Sequence, residues 1–156
     1  MKLKVGDKAP PIYLLDQTGK QRDALAESRT HWRLVYFYPK DDTPGCTKEA
    51  CGIRDNFPKF GKLDIVVYGI SCDKSRKHEA FAKKYDLPFT LLADTQQEVV
   101  KKYGVWGRKK MMGREYDGIF RTSFLIAPEG TIVKIYENVK PEGHAEEVLA
   151  DVKAMG

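Results

Sequence analysis

The chain has 156 residues, with 27 Lys and Arg against 22 Asp and Glu and a net charge of +5. At 42% hydrophobic and 31% charged residues it reads as a soluble globular chain, one domain over 1–156, able to bury a core without disulfide or metal staples. No apolar run approaches the ~18 residues of a membrane span. No apolar stretch follows Met1-Lys2-Leu3-Lys4-Val5, so no membrane partner and no secretory signal are expected, and the expected location is cytoplasmic. The basic residues are interspersed with acids. Their one short run, Arg108-Lys109-Lys110, reads as a solvated loop, and with no nucleic-acid motif beside it no nucleic-acid partner is expected.

An N-terminal section of about 30 residues precedes the first clear pattern. Leu34–Tyr38 then reads as a buried strand, followed by a helix from Pro44 to Phe60 with Ala50, Ile53 and Phe57 on one face. Ile65–Ser71 is a second strand, and Ser75 to Tyr85 a second helix with Ser75 as its N-cap. Phe89–Ala93 is a third strand. A third helix, capped by Asp94 or Thr95, runs to Tyr103 and stops at Gly104. Val105 to Ile119 has no clean period and is expected to be a long loop, with room in it for a short strand. Thr122–Ile126 and Thr131–Tyr136, joined through Pro128-Glu129-Gly130, predict an antiparallel hairpin, and Pro141 to Met155 a closing helix. Alternating strands and helices followed by a hairpin predict an α/β fold: a mixed sheet, parallel in its first part, flanked by helices.

There are three cysteines, Cys46, Cys51 and Cys72, an odd number that argues against a secreted disulfide framework. Cys46 is the informative one. Thr43 is a good N-cap and Pro44 suits the first helical position, so Cys46 falls in the first turn of a helix. There its sulfur sits near free backbone N–H groups and the positive end of the dipole, an environment that can bring a thiol from ~8.5 into the ~3.5–7.5 range. Cys51 lies five residues on. Five helical residues rise ~7.5 Å and turn the side chain far around the axis, so the two sulfurs cannot bond while the helix is intact. Gly45 and Gly52 weaken that helix by ~1 kcal/mol each relative to Ala. Read alone, Cys51 is also compatible with a small core residue.

Rival chemistries fit less well. A zinc site would need two further ligands from Cys72, His31, His78 and His144, none of which forms a metal-binding spacing, so no metal is expected. The C-x-x-C spacing of disulfide oxidoreductases is absent. A His base is not adjacent in sequence, and Arg121, opening the run Arg-Thr-Ser-Phe-Leu-Ile, is a candidate source of positive charge or a plain strand-end arginine.

The stretch Pro39-Lys-Asp-Asp-Thr43-Pro-Gly-Cys46 resembles the P-x-x-x-T-x-x-C motif of the peroxiredoxins. Its continuation, Thr-Pro-Gly-Cys-Thr-x-Glu-x-Cys, is similar to the bacterioferritin-comigratory, or Q-type, branch, an atypical two-cysteine type. Val5-Gly-Asp-Lys-Ala-Pro10, Phe89-Thr-Leu-Leu-Ala-Asp94, Tyr103-Gly-Val-Trp-Gly107 and Gly118-Ile-Phe-Arg121 extend the resemblance over nearly the whole chain. It implies a thioredoxin-like fold and a thiol peroxidase acting on hydrogen peroxide and organic hydroperoxides. By this resemblance Cys46 is the peroxidatic cysteine and passes through a sulfenic acid. Thr43 hydrogen-bonds thiolate and peroxide, Arg121 supplies a permanent charge, Pro39 shields the sulfur, and Cys51 resolves after local unwinding. A thioredoxin-type dithiol reductant reopens the disulfide, no cofactor is required, and a monomer is expected. Two departures stand out: Ala127 follows Ile126 where the family usually has Asp, and Cys72 ends a strand, either as a small filler or as a second resolving thiol. A dithiol disulfide reductase and a one-shot redox switch are the alternative readings, and repeated turnover of peroxide with a reductant distinguishes a peroxidase from a switch.

Overall fold

A computed structural model describes residues 2–155. The N-terminal section that carried no pattern holds a short hairpin, β1 (Tyr13–Asp16) and β2 (Gln21–Asp23), and one helical turn, α1 (Ala24–Glu27). Asp16 shapes this hairpin: its Oδ1 accepts the Thr18 and Lys20 backbone N–H groups and the Thr18 hydroxyl. Next come β3 (Trp32–Phe37), α2 (Pro44–Asp55), α3 (Phe57–Lys62), β4 (Ile65–Ser71), α4 (Ser75–Tyr85) and β5 (Thr90–Ala93). The single helix expected from Pro44 to Phe60 is therefore two. Pro58 is the physical reason: it has no N–H to give to the Arg54 carbonyl and its ring would collide with it, so the ladder breaks at Asn56. Asn56 caps the break, its Nδ2 donating to the Gly52 carbonyl at 2.8 Å.

α5 (Glu98–Lys102) begins later than expected, with Gln97 in the left-handed region at its start. Asp94 still serves it from four residues back, its carboxylate accepting the Glu98 and Val100 N–H groups. The segment expected to be a loop is a hairpin, β6 (Trp106–Met111) and β7 (Arg114–Ile119). Its two-residue turn, Met112-Gly113, has φ of 52° and 79°, the positive values a tight right-twisting hairpin requires. β8 (Thr122–Ile126), β9 (Ile132–Tyr136) and α6 (His144–Ala154) close the chain; α6 starts three residues after the expected Pro141.

Among the described residues, seven strands form one sheet in the order β2-β1-β5-β4-β3-β8-β9, while β6 and β7 pair only with each other. The central strands β3, β4 and β5 are parallel and β8 and β9 add an antiparallel hairpin, as the pattern predicts; β1 and β2, from the section that carried no pattern, add antiparallel strands on the other side. Strand alternation splits the core into two layers. Leu34, Tyr36 and Tyr38 face Ile53, Phe60, Phe81 and Val148 of the helices α2, α3, α4 and α6. Val35 and Phe37 face the other way, against Val100, Tyr103 and Phe124. Among the described residues no helix is long and apolar enough to cross a membrane.

Candidate active site

The end of β3 delivers the chain to a polar loop, 38–43, and the loop opens α2. Thr43 is the N-cap residue and Pro44 the first helical residue, as expected, and Cys46 lies in the first turn with 1% of its surface exposed. The cap is made by the Thr43 backbone, whose carbonyl accepts the Thr47 N–H at 2.8 Å. Its hydroxyl instead donates to the Lys40 carbonyl at 3.0 Å. Pro39 is half-buried at the start of this loop.

Arg121 arrives from the junction of β7 and β8. Its Nη2 lies 3.5 Å from the Cys46 sulfur and its Nη1 donates to Glu49 Oε1 at 2.7 Å. The plain strand-end reading of Arg121 is thereby replaced by one in which its planar fork joins the thiol to a carboxylate. Gly45 makes room for it, since a Cβ there would stand 3.0 Å from Nη2. Glu49 is one helical turn beyond Cys46 and so shares its face. Its side chain is 1% exposed, and its second oxygen, Oε2, has no hydrogen-bond partner among the described residues. Burial pushes the Glu49 carboxyl up to about 7, outweighing the pull of Arg121 in the other direction. Burial works against the Arg121 charge as well, but Glu49 and Cys46 outweigh it, and the net shift is upward.

A second cation lies nearby. The Lys109 ammonium donates to the Ile119 carbonyl at 2.8 Å and lies 5.9 Å from the centre of the Phe120 ring. Burial, then the neighbouring Arg121 charge, lower its pKa. Of the basic run read as a solvated loop, Lys109 is therefore half-buried on a strand, while Arg108 and Lys110 are exposed.

Cys51 is half-buried further along α2, and all three cysteines are free thiols. The helix is continuous between Cys46 and Cys51, so the two are separated as the spacing predicts. Cys72 is on the other side of the sheet, packed against the layer that contains Val35 and Phe37. Burial, then the charges of Asp94 and Asp73, push its thiol up to about 12. Sequence reasoning assigned no role to Glu49, Lys109 or the buried loop residue Asp41. The three-residue step from Cys46 to Glu49 was the one local signal; the other two depend on tertiary placement.

The AhpC/TSA family matches residues 5–135 of the chain. The chain belongs to that family. Within it, peroxiredoxin Bcp of Escherichia coli K12 is 48% identical over 147 residues, 94% of this chain and 94% of that protein. Peroxiredoxin Bcp of Bacillus subtilis is 41% identical over 155 residues, covering 99% of this chain and 98% of the relative. Among solved structures, a PrxQ cysteine-to-serine variant from Xylella fastidiosa superposes with a TM-score of 0.93 at 32% identity, covering 99% and 98% of the two chains. The bacterioferritin comigratory protein of Xanthomonas campestris, whose alkyl peroxide reduction activity has been described, gives a TM-score of 0.86 at 36% identity, over 92% and 91%. The chain is thus a peroxiredoxin of the Bcp and Q-type branch, an oxidoreductase with peroxidase activity on a thioredoxin-like fold.

Proposed function

We propose that this peroxiredoxin reduces hydrogen peroxide and organic hydroperoxides through a sulfenic acid on Cys46, resolved by Cys51 and recycled by a thioredoxin-type dithiol. The observation that carries the proposal is the Arg121 guanidinium 3.5 Å from the Cys46 sulfur, braced from behind by Glu49. A cation so placed favours negative charge on sulfur before reaction and on the peroxide oxygens as the O–O bond breaks. The Cys46 thiolate attacks one peroxide oxygen, and the other leaves with the bonding pair and takes up a proton as water or alcohol. Sulfur is oxidised to sulfenic acid and the peroxide is reduced by two electrons.

Thr43 has a defined part in this step. Its proton is committed to the Lys40 carbonyl, so its oxygen offers lone pairs. It therefore accepts the hydrogen of the incoming hydroperoxide and leaves the attacked oxygen free to face Cys46. Pro39, half-buried beside it, limits access of water to the sulfur.

The Cys51 sulfur then displaces hydroxide from the sulfenic acid, which departs as water and leaves a disulfide. This requires the first turns of α2 to unwind, because a disulfide needs Cα atoms within roughly 7 Å and facing side chains. A twelve-residue helix containing Gly45 and Gly52 is suited to that, since isolated helices shorter than ~12–15 residues are marginal in water. A dithiol reductant attacks the disulfide and restores both thiols. Mass-spectrometric mapping of the unreduced chain after one equivalent of hydrogen peroxide tests the scheme. A Cys46–Cys51 link is expected within seconds, whereas an unmodified Cys46 would overturn the peroxidatic assignment, and a link to Cys72 would overturn the resolving one.

A further inference from the structure

Among the buried titratable groups that the steps above leave unused, one lies beside the reactive loop. His78 projects from α4 into the core, and Asp41 sits midway along the loop between Pro39 and Thr43; both side chains are fully buried. Asp41 Oδ2 lies 2.6 Å from His78 Nδ1, and the Tyr38 hydroxyl donates to Asp41 Oδ1 at 2.5 Å. On its far edge the His78 ring donates from Nε2 to the Leu92 carbonyl of β5 at 2.9 Å. The Asp41 backbone N–H donates to Asp73 Oδ2 at 2.8 Å, an oxygen that also accepts the Ser71 hydroxyl at 2.7 Å. One residue on, Asp42 turns the chain with φ of 58°, and its carboxylate accepts from the Lys84 ammonium and the Tyr85 hydroxyl, each at 2.8 Å.

A buried ionisable pair is a poor way to add stability, because desolvation offsets most of its attraction and a well-packed apolar pair often does better. What a fully bonded buried network supplies is a unique geometry. Asp41, Asp73 and His78 also have the make-up of a metal site. His78 and Asp41 already bond to each other and Asp41 to Tyr38, while Asp73 accepts from the Asp41 backbone and from Ser71, so the cluster is a hydrogen-bonded anchor.

The placement of the anchor divides the active site in two. Loop 38–43 hangs from α4, β5 and the end of β4, and none of these attachments involves α2. Cys46 lies beyond the last attachment, on the helix that must unwind. We propose that His78 is a positioning residue for the peroxide cradle: through Asp41 it fixes the Pro39–Thr43 loop to α4 and β5, and so halts the unwinding of α2 at Thr43. Cys46 can then leave to meet Cys51 and return to a cradle that has not moved. The inference rests on the two-cysteine scheme proposed above.

Two measurements test it. In hydrogen exchange of the disulfide form, amides of residues 47–51 are expected to exchange fast while the Asp41 amide, which donates to Asp73, stays protected; equal loss of protection at both would overturn the proposal. In stopped-flow oxidation by hydrogen peroxide, His78→Leu is expected to slow Cys46 oxidation by about 10²-fold, the scale of a misplaced reacting geometry. His78→Asn, whose amide can take the place of Nδ1 against Asp41, is expected to restore most of the rate. Val148→Ala, which opens the same core layer from α6, serves as the control for general destabilisation and is expected to oxidise at the parent rate. A folded His78→Leu chain oxidising at the parent rate, or one slowed no more than Val148→Ala, would overturn the positioning role. If His78→Leu does not fold, Asp41→Asn takes its place with the same two outcomes. Failure of the parent chain to oxidise at Cys46 is visible before any variant is made, and would count against the catalytic scheme rather than against this anchor.

Discussion

Cys46 and Cys72 are the same side chain on opposite faces of one sheet, in opposite electrostatic settings. Cys46 meets a guanidinium at 3.5 Å and the start of a twelve-residue helix. Cys72 meets apolar side chains and two carboxylates, and its thiol is held up to about 12. At neutral pH such a thiol carries almost no thiolate, which is the reactive form. Burial alone does not separate them, since both are largely shielded from water. The nearby charges differ in sign: an arginine beside Cys46, and beside Cys72 two aspartates whose effect adds to the larger one of burial. On this contrast Cys72 is expected to be a poor second resolving group, because its thiol is kept neutral and the sheet separates it from Cys46.

The comparison can be broken most severely by replacing the reactive sulfur. Cys46→Ser is expected to abolish peroxide consumption in a coupled reductant assay. Cys51→Ser is expected to keep the first oxidation but accumulate a sulfenic acid trappable with dimedone. The next largest effect belongs to the cation. Arg121→Met removes the charge aimed at the reacting atoms and is expected to slow Cys46 oxidation by about 10²–10³-fold, as for loss of a preorganised donor to a developing charge.

Glu49→Gln gives a smaller and pH-dependent change. The folded chain holds the Glu49 proton up to about pH 7, against an ordinary value of 4.5. Its contribution to stability is therefore fully present below about pH 4.5 and is lost as pH rises through 7. The loss is on the order of 3 kcal/mol, from about 1.4 kcal/mol for each pH unit between the two values. Thermal unfolding of the parent across that window should carry this slope, and Glu49→Gln should flatten it. The smallest expected effect is at Cys72, where Cys72→Ser should leave turnover unchanged and intact Cys72 should alkylate far more slowly than Cys46 at neutral pH. Rapid labelling of Cys72 would erase the contrast.

Much of this architecture could be read from the chain. The parallel strands appear as apolar runs bounded by helical patterns, and Pro128-Glu129-Gly130 marks the final hairpin. The β6–β7 hairpin was hidden because its turn is Met-Gly, not Asn-Gly, and both its faces are largely polar. The break at Asn56 was visible in Pro58 but yielded to the apolar spacing on either side. In the site, Cys46 and Thr43 announce themselves through local capping chemistry. Arg121 is one of two open readings until the family motif is added, because 75 residues separate it from Cys46. Asp41 looked like one more polar loop residue. Its burial against His78 arises from the packing of α4, which no local pattern encodes.

The interruption at Asn56 has a consequence for timing. In the proposed cycle it sets an outer limit to the unwinding of the first turns: melting can spread over at most the twelve residues of α2, while Phe60 in α3 stays seated in the core. Helix and coil interconvert in ~0.1–1 μs in a peptide of about 20 residues, and this segment is shorter. Once the disulfide is cut, the reactive conformation re-forms long before another peroxide or reductant molecule arrives by diffusion. Turnover is then governed by encounters with those two partners, and the helix behaves as a hinge always at equilibrium with the state of its two sulfurs.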